Sequence, residues 1–324
     1  MVFLVPYLVG RLAYLCAQAD FEALSHPSMR PNPTLYRALA ICVCCAFLYY
    51  ALGKSSARAS RSSKWTLEAQ LGQQLAHLPP PTTVPILLPL DARLADTAVL
   101  LSRTLASLRR VDSIATTPLV VLYDFGAPSA PAIREVLRGV TFAPLVELTT
   151  PPAEDASRGL YLLLKHVLGG GTPFRGCVAL PAGVEVSQDV VEFARWALSQ
   201  LDREGGTLRQ VFAVNLYYSK GQGFGGSERY TLATEEVGLQ PWGAVLPRSA
   251  LPLIRQVYGA SGTAWQAALV EALKARELRV LTPRISRSRP IRQLADVSPG
   301  GESMYIPDHS LDYAGRTMLL VPRH

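Results

Sequence analysis

The sequence predicts an α/β domain with a mostly parallel sheet flanked by helices, preceded by a transmembrane anchor and a stem. Three observations predict it. From residue 84 onward, short uninterrupted apolar runs alternate with stretches of helical periodicity, and such runs form strands buried on both faces. Residues 38–53 (ALAICVCCAFLYYALG) form an uncharged apolar run bracketed by Arg37 and Lys54. Between the two lies a Ser/Arg/Ala-rich stretch and the breaker Pro79-Pro80-Pro81, which marks a domain boundary.

These features divide the chain into an N-terminal tail with an extra apolar segment (1–37), the anchor (38–53), a stem (54–83) and the α/β domain (84–324). The anchor is somewhat short of the ~20 residues that span an average bilayer. Tyr49 and Tyr50 suit its interface with water. In the stem, Leu67, Leu71, Leu75 and Leu78 fall at helical spacing. Residues 1–19 are apolar but interrupted by Arg11, and translation from Met29 instead of Met1 would leave a short tail before the anchor.

Net charge is +7 over 324 residues, with 49% hydrophobic residues. Lys54, Arg58, Arg61 and Lys64 follow the anchor, and Arg284, Arg287, Arg289 and Arg292 cluster near the C-terminus. Without a zinc finger, an RNA-binding signature or basic-aromatic interleaving, this excess does not point to nucleic acid. Four of the 5 cysteines (Cys16, Cys42, Cys44 and Cys45) lie in the apolar N-terminal region. Cys177 alone falls in the α/β domain, so no disulfide framework or zinc spacing exists there.

Within the domain, strands are expected at 84–90, 119–123, 145–148, 177–180 and 211–217. Helices are expected at about 92–110, 130–138, 157–168, 188–204, 248–258 and 263–277. Two strand ends carry polar groups suited to a nucleotide. The first strand runs out at Asp91-Ala92-Arg93, where a cation appears. The second ends at Asp124-Phe125-Gly126, an acid able to accept hydrogen bonds from a base or ribose edge. A turn-forming role for Asp124 and a surface role for Arg93 are the alternatives.

A third strand end reads Ala179-Leu180-Pro181-Ala182-Gly183, then Val184-Glu185-Val186 and a helix carrying Asp189, Glu192 and Phe193. This layout resembles the N-acetylglucosaminyltransferase I family of Golgi glycosyltransferases. That family has an acidic metal-binding triplet at this strand end, then Leu-Glu-Val and a helix rich in Asp, Phe and Glu. The resemblance extends from about residue 84 to 292. It implies a GT-A fold, with Arg93 on the sugar nucleotide and Asp124 reading the uracil. Residues 238–251 resemble the aromatic-glycine loop beside the acceptor, which places Trp242 there. Pro283-Arg284-Ile285-Ser286-Arg287 is close to the family's Pro-Glu-Ile-Ser-Arg, and Gly301-Glu302-Ser303 echoes a donor-covering loop.

The resemblance further implies UDP-N-acetylglucosamine as donor, a mannose-bearing glycoprotein acceptor, Mn²⁺ as cofactor, and a single-pass type II Golgi membrane protein. The positive charges after the anchor, by the positive-inside rule, favour the opposite orientation.

The departures from the family concern its chemistry. Pro181, Ala182 and Gly183 replace the acidic triplet and offer no side-chain oxygen to a hard cation. Gln266 and Ala267 stand where the family has its catalytic base, and neither takes a proton at neutral pH. Glu185, Glu235 and Glu236 are the remaining candidates for that work, and the C-terminal arginines are candidates for screening phosphate. Three readings therefore stand: an active transferase, a catalytically inactive relative that binds a nucleotide, a glycan or a partner protein, or an unrelated anchored α/β binding module. Residues 221–226 match GxGxxG literally but open no clear helix, and His166, on the face of a Leu-rich helix, reads as a packed or partly exposed histidine rather than a ligand.

Overall fold

A computed structural model describes residues 84–150, 156–169, 172–201, 210–218, 231–235, 238–283, 285–291, 313 and 319–321. The expected tail, anchor and stem lie outside the described residues, as do Glu236, Arg284, Arg292, residues 221–226 and Glu302. Among the described residues, no helix is long and apolar enough to cross a membrane.

The order of elements is β1 (Ile86–Pro89), α1 (Thr97–Leu108), β2 (Leu119–Asp124), α2 (Ala130–Arg138), β3 (Leu145–Thr150), α3 (Ala156–Gly169) and β4 (Gly176–Ala179). There follow β5 (Val184–Val186), α4 (Val190–Leu201), β6 (Val211–Asn215), β7 (Thr231–Glu235) and β8 (Ala244–Pro247). The last are α5 (Leu251–Ser261), α6 (Trp265–Ala275), β9 (Arg279–Pro283), β10 (Ser288–Pro290) and β11 (Leu319–Val321).

Nine strands form one sheet in the order β11-β7-β9-β6-β8-β4-β1-β2-β3, and β5 pairs with β10 in a separate ribbon. β1 to β4 run parallel to one another. β8 is antiparallel to both β4 and β6, and β6 is parallel to β9. The mostly parallel α/β sheet expected from the sequence is therefore present.

Alternation along the strands feeds two cores. Ile86, Leu88, Val121, Tyr123, Val178 and Leu180 face α1, α2 and α4. Leu87, Val120, Leu122, Cys177 and Ala179 face α3, α5 and α6. Both faces are covered, which is why β1, β2 and β4 read as unbroken apolar runs.

The path β1-α1-β2-α2-β3 moves outward with its helices on one face. The chain then returns through α3 on the other face to place β4 on the far side of β1. A right-handed crossover that reverses direction must switch faces. The reversal leaves a crevice at the carboxyl ends of β1 and β4, the place where open α/β sheets bind ligands.

Several elements differ in extent from expectation. α1 starts at Thr97 because residues 91–96 form a turn. The Leu94 N–H donates to the Asp91 carbonyl at 3.2 Å, and Thr97 Oγ1 donates to the same oxygen at 2.7 Å. The helix expected from 248 begins at Leu251, after a single tight turn, with Pro252 in its first turn.

Candidate functional site

A cleft of about 400 Å³ occupies the switch-point crevice, within the ~300–1,000 Å³ range of small-molecule sites. Pro89 of β1 and Ala179, Leu180 and Pro181 from the end of β4 form its floor and one wall. Ser157 and Leu160 come from α3, Gln266 from α6, and Leu239 to Pro241 from the loop before β8. No lining residue carries a charge, and the polar side chains are Ser157, Gln240 and Gln266. Ser157 Oγ donates to the Thr263 carbonyl at 2.9 Å, so it can meet a ligand only as an acceptor, whereas an amide side chain both donates and accepts.

The turn at Pro181-Ala182-Gly183 is built for its present residues. Gly183 has φ +87°, where a side chain is strained, and a Cβ there would meet Leu100 at 3.3 Å. Its backbone is held from α1: the N–H groups of Gly183 and Val184 donate to buried Thr104 Oγ1 at 3.0 and 3.2 Å. The Val186 N–H donates to Ser107 Oγ at 3.2 Å. Pro181, Ala182 and Gly183 do not fit a divalent cation. Among the described residues, no three His, Cys, Asp or Glu side chains converge in a way that could hold one.

The other candidates are placed as follows. Arg93 folds its guanidinium onto Asp91, at 2.8 Å from Nε and 2.7 Å from Nη2. That contact holds the Asp91 carboxyl below the usual carboxylate range. Asp124 is buried, and its Oδ1 accepts the Gly126 N–H at 2.8 Å, the turn-forming bond that was the alternative reading. The loops bearing the two residues are clamped together, since the Ser129 N–H and Oγ both donate to the Ala92 carbonyl.

Trp242 packs against the core on the α1 side, while its neighbours Pro241 and Gly243 line the cleft. Glu185 does not line the cleft either. It lies 2.6 Å from Arg289 across the β5–β10 ribbon, so a candidate acid and a candidate phosphate-screening arginine are paired with each other. Arg287 is buried and committed to Asp189 at 3.1 Å.

Glu235 ends β7, which is separated from β4 by β9, β6 and β8. It pairs in register with Val280 at the start of β9, and β9 runs in the same sense as β4. Glu235 therefore lies at the amino-terminal end of the parallel strands, opposite the crevice. Pro181 and Gln266 are by contrast brought into one cleft.

Sequence reasoning missed Ser157, Gln240 and the residue that positions Gln240. Asn215, fully buried at the end of β6, accepts the Gln240 N–H at 3.0 Å through Oδ1. Its Nδ2 donates to Thr282 Oγ1 at 3.4 Å. A lone amide closing the apolar run Val211-Phe212-Ala213-Val214 was the available signal.

No protein-family model and no curated protein matches this sequence. Among solved structures, the chain is similar to a mannosyltransferase from Pyrobaculum calidifontis determined with GDP-Man and Mn²⁺. Identity there is 15%, coverage is 72% of this chain and 66% of that one, and the TM-score is 0.40. It is also similar to residues 1–349 of S. aureus TarS, with 12% identity, coverage of 65% and 61%, and a TM-score of 0.42. A third is a nucleotide-diphospho-sugar transferase from Desulfovibrio desulfuricans G20, with 12% identity, coverage of 63% and 80%, and a TM-score of 0.33. In the first two, less than two thirds of the neighbour's length is covered. At these TM-scores the likenesses carry no argument about what this chain binds or does.

Proposed function

We propose that this chain is a glycosyltransferase-like protein of the N-acetylglucosaminyltransferase I type whose crevice binds its ligand without transferring sugar. One observation carries the reading. The cleft at the switch point is lined by Pro181 and Gln266, the residues that the resemblance sets at the metal grip and the proton acceptor of sugar transfer, and none of its lining residues is charged.

Inverting transfer removes a proton from the acceptor hydroxyl and neutralises charge on the departing diphosphate. A proline and an amide do neither. Gln240 and Gln266 are suited to hydrogen-bonding a neutral, hydroxyl-rich ligand such as a glycan. Arg93 and Asp124, on the clamped loops after β1 and β2, are proposed to bind the nucleotide of a UDP-sugar, with Arg93 exchanging Asp91 for phosphate. Residence in the Golgi membrane through residues 38–53 belongs to the same resemblance, and the cleft's chemistry does not depend on it.

A transfer assay tests the reading. Full-length protein is incubated with UDP-N-acetylglucosamine, a mannose-terminated N-glycan and Mn²⁺, and both UDP release and glycan mass are followed. The expected result is neither UDP release nor a mass increase. Stoichiometric or greater transfer would overturn the proposal.

A further inference from the structure

Among the described residues, Phe125 is the only exposed aromatic side chain, with 55% of its surface accessible. It directly follows β2, at the carboxyl end of that strand. Tyr123, Asp124 and Ala127 around it are buried, so the ring projects from an anchored loop. Leu94, 52% exposed, lies past the end of β1 on the neighbouring loop, next to Arg93, and Ser129 clamps the two loops together at Ala92.

The loop that carries Phe125 has its donors committed. The Phe125 N–H donates to the Thr150 carbonyl at 3.4 Å, and the Ala127 N–H to the Asp124 carbonyl at 3.4 Å. The Gly126 N–H donates to Asp124 Oδ1 at 2.8 Å. Pro128 has no N–H, and the Ser129 N–H and Oγ both donate to the Ala92 carbonyl. Every N–H and hydroxyl donor from Phe125 to Ser129 thus has an acceptor within the protein. A base edge brought to this loop would find its carbonyl oxygens and ring nitrogens unmatched, which is costly once water is excluded. What the loop presents to a base is the face of Phe125.

Resting on the reading that the loops after β1 and β2 bind a nucleotide, we infer that Phe125 is the stacking platform for its base, which is held by its face and not read by its edge. Every nucleobase has a π face, and stacking on an aromatic side chain tolerates any of them. Asp124, whose Oδ1 closes the turn, positions the platform, and Arg93 on the clamped loop is left to phosphate. The site therefore takes purine and pyrimidine nucleoside diphosphates alike. The resemblance, with Asp124 reading the uracil, implies the opposite, a site selective for uridine.

The test is calorimetry of the full chain with UDP and with GDP, repeated on Phe125→Ala and Phe125→Trp. Affinities for the two nucleotides are expected to agree within about threefold. Phe125→Ala should weaken both by about fivefold or more. Phe125→Trp should keep both, with a saturable quenching of tryptophan fluorescence that exceeds that of the native chain. The ring lies in solvent, so both variants keep the fold. Binding of UDP and GDP that Phe125→Ala leaves unchanged, or binding of UDP alone, would overturn the inference and leave the nucleotide reading in place. Failure of the native chain to bind either nucleotide would overturn both.

Discussion

Arg287 and Asp189, 98 residues apart, form an ion pair of 3.1 Å with both side chains out of solvent. The pair joins the start of α4 to the strand that follows β9. Ser187 Oγ donates to Asp189 Oδ1 at 2.7 Å, and Tyr313 Oη donates to Oδ2 at 2.5 Å. Arg287 Nη2 donates to Tyr313 Oη at 2.9 Å, and the guanidinium carbon lies 4.9 Å from the centre of the Phe193 ring. Ser187 and Arg287 directly follow and precede the two strands of the β5–β10 ribbon.

Removing one partner of such a pair leaves a buried charge alone. Asp189→Ala is expected to lower unfolding stability by about 3–5 kcal/mol in denaturant titration. Tyr313→Phe should cost about 1.5–3 kcal/mol, because it removes hydrogen bonds to charged groups. Burial pushes the Tyr313 hydroxyl well above the ordinary tyrosine range, so it remains a donor across the working pH range.

Thr104 holds the turn after β4 through two backbone N–H groups. Thr104→Val keeps the shape and orphans both donors, and should cost about 1–3 kcal/mol. The same measurement on Thr116→Val, whose hydroxyl makes one bond at the surface, should show a change below about 0.5 kcal/mol.

The Arg93–Asp91 contact gives a pH-dependent signal. Asp91 has its folded-state pKa lowered from 3.8 by Arg93. A lowered carboxylate pKa contributes stability above the ordinary value, and that contribution is lost as pH falls through the folded value. Asp91 should therefore titrate by carboxyl-carbon NMR below an ordinary aspartate, and move upward in Arg93→Ala. Arg93 is half exposed, so the accompanying change in stability should be small. If Arg93 must leave Asp91 to meet a nucleotide, Asp91→Asn will tighten UDP binding.

Cys177 is fully buried, and desolvation alone pushes its thiol far above the ordinary range. In native protein at pH 8, peptide mapping after iodoacetamide should find Cys177 unmodified, with modification appearing only in denaturant.

The major strands and helices were legible because each fully buried strand is an unbroken apolar run and each helix has a clear stripe. β2 and α2 are the plainest cases. β5, β7, β8, β9, β10 and β11 were not, since each is three to five residues long and defined by pairing with distant chain. Ala244–Pro247 reads as the end of a loop until it is set between β4 and β6.

The candidate site was legible in part. The resemblance drew attention to Asp189, Phe193 and Arg287, and the structure joins all three in one buried network, away from the lining of the cleft. The pairing of Glu185 with Arg289 is set by strand register, which no local spacing reveals. The meeting of Pro181 with Gln266 depends on α3 and α6 covering the same face of the sheet.

Calorimetry of the full chain with UDP-N-acetylglucosamine, with and without Mn²⁺ and against Asp124→Ala, tests the central claim most directly. A retained pocket without a metal grip predicts saturable binding that is unchanged by Mn²⁺ and lost in the folded Asp124→Ala variant. Binding strengthened severalfold by Mn²⁺, or no binding under either condition, would contradict it.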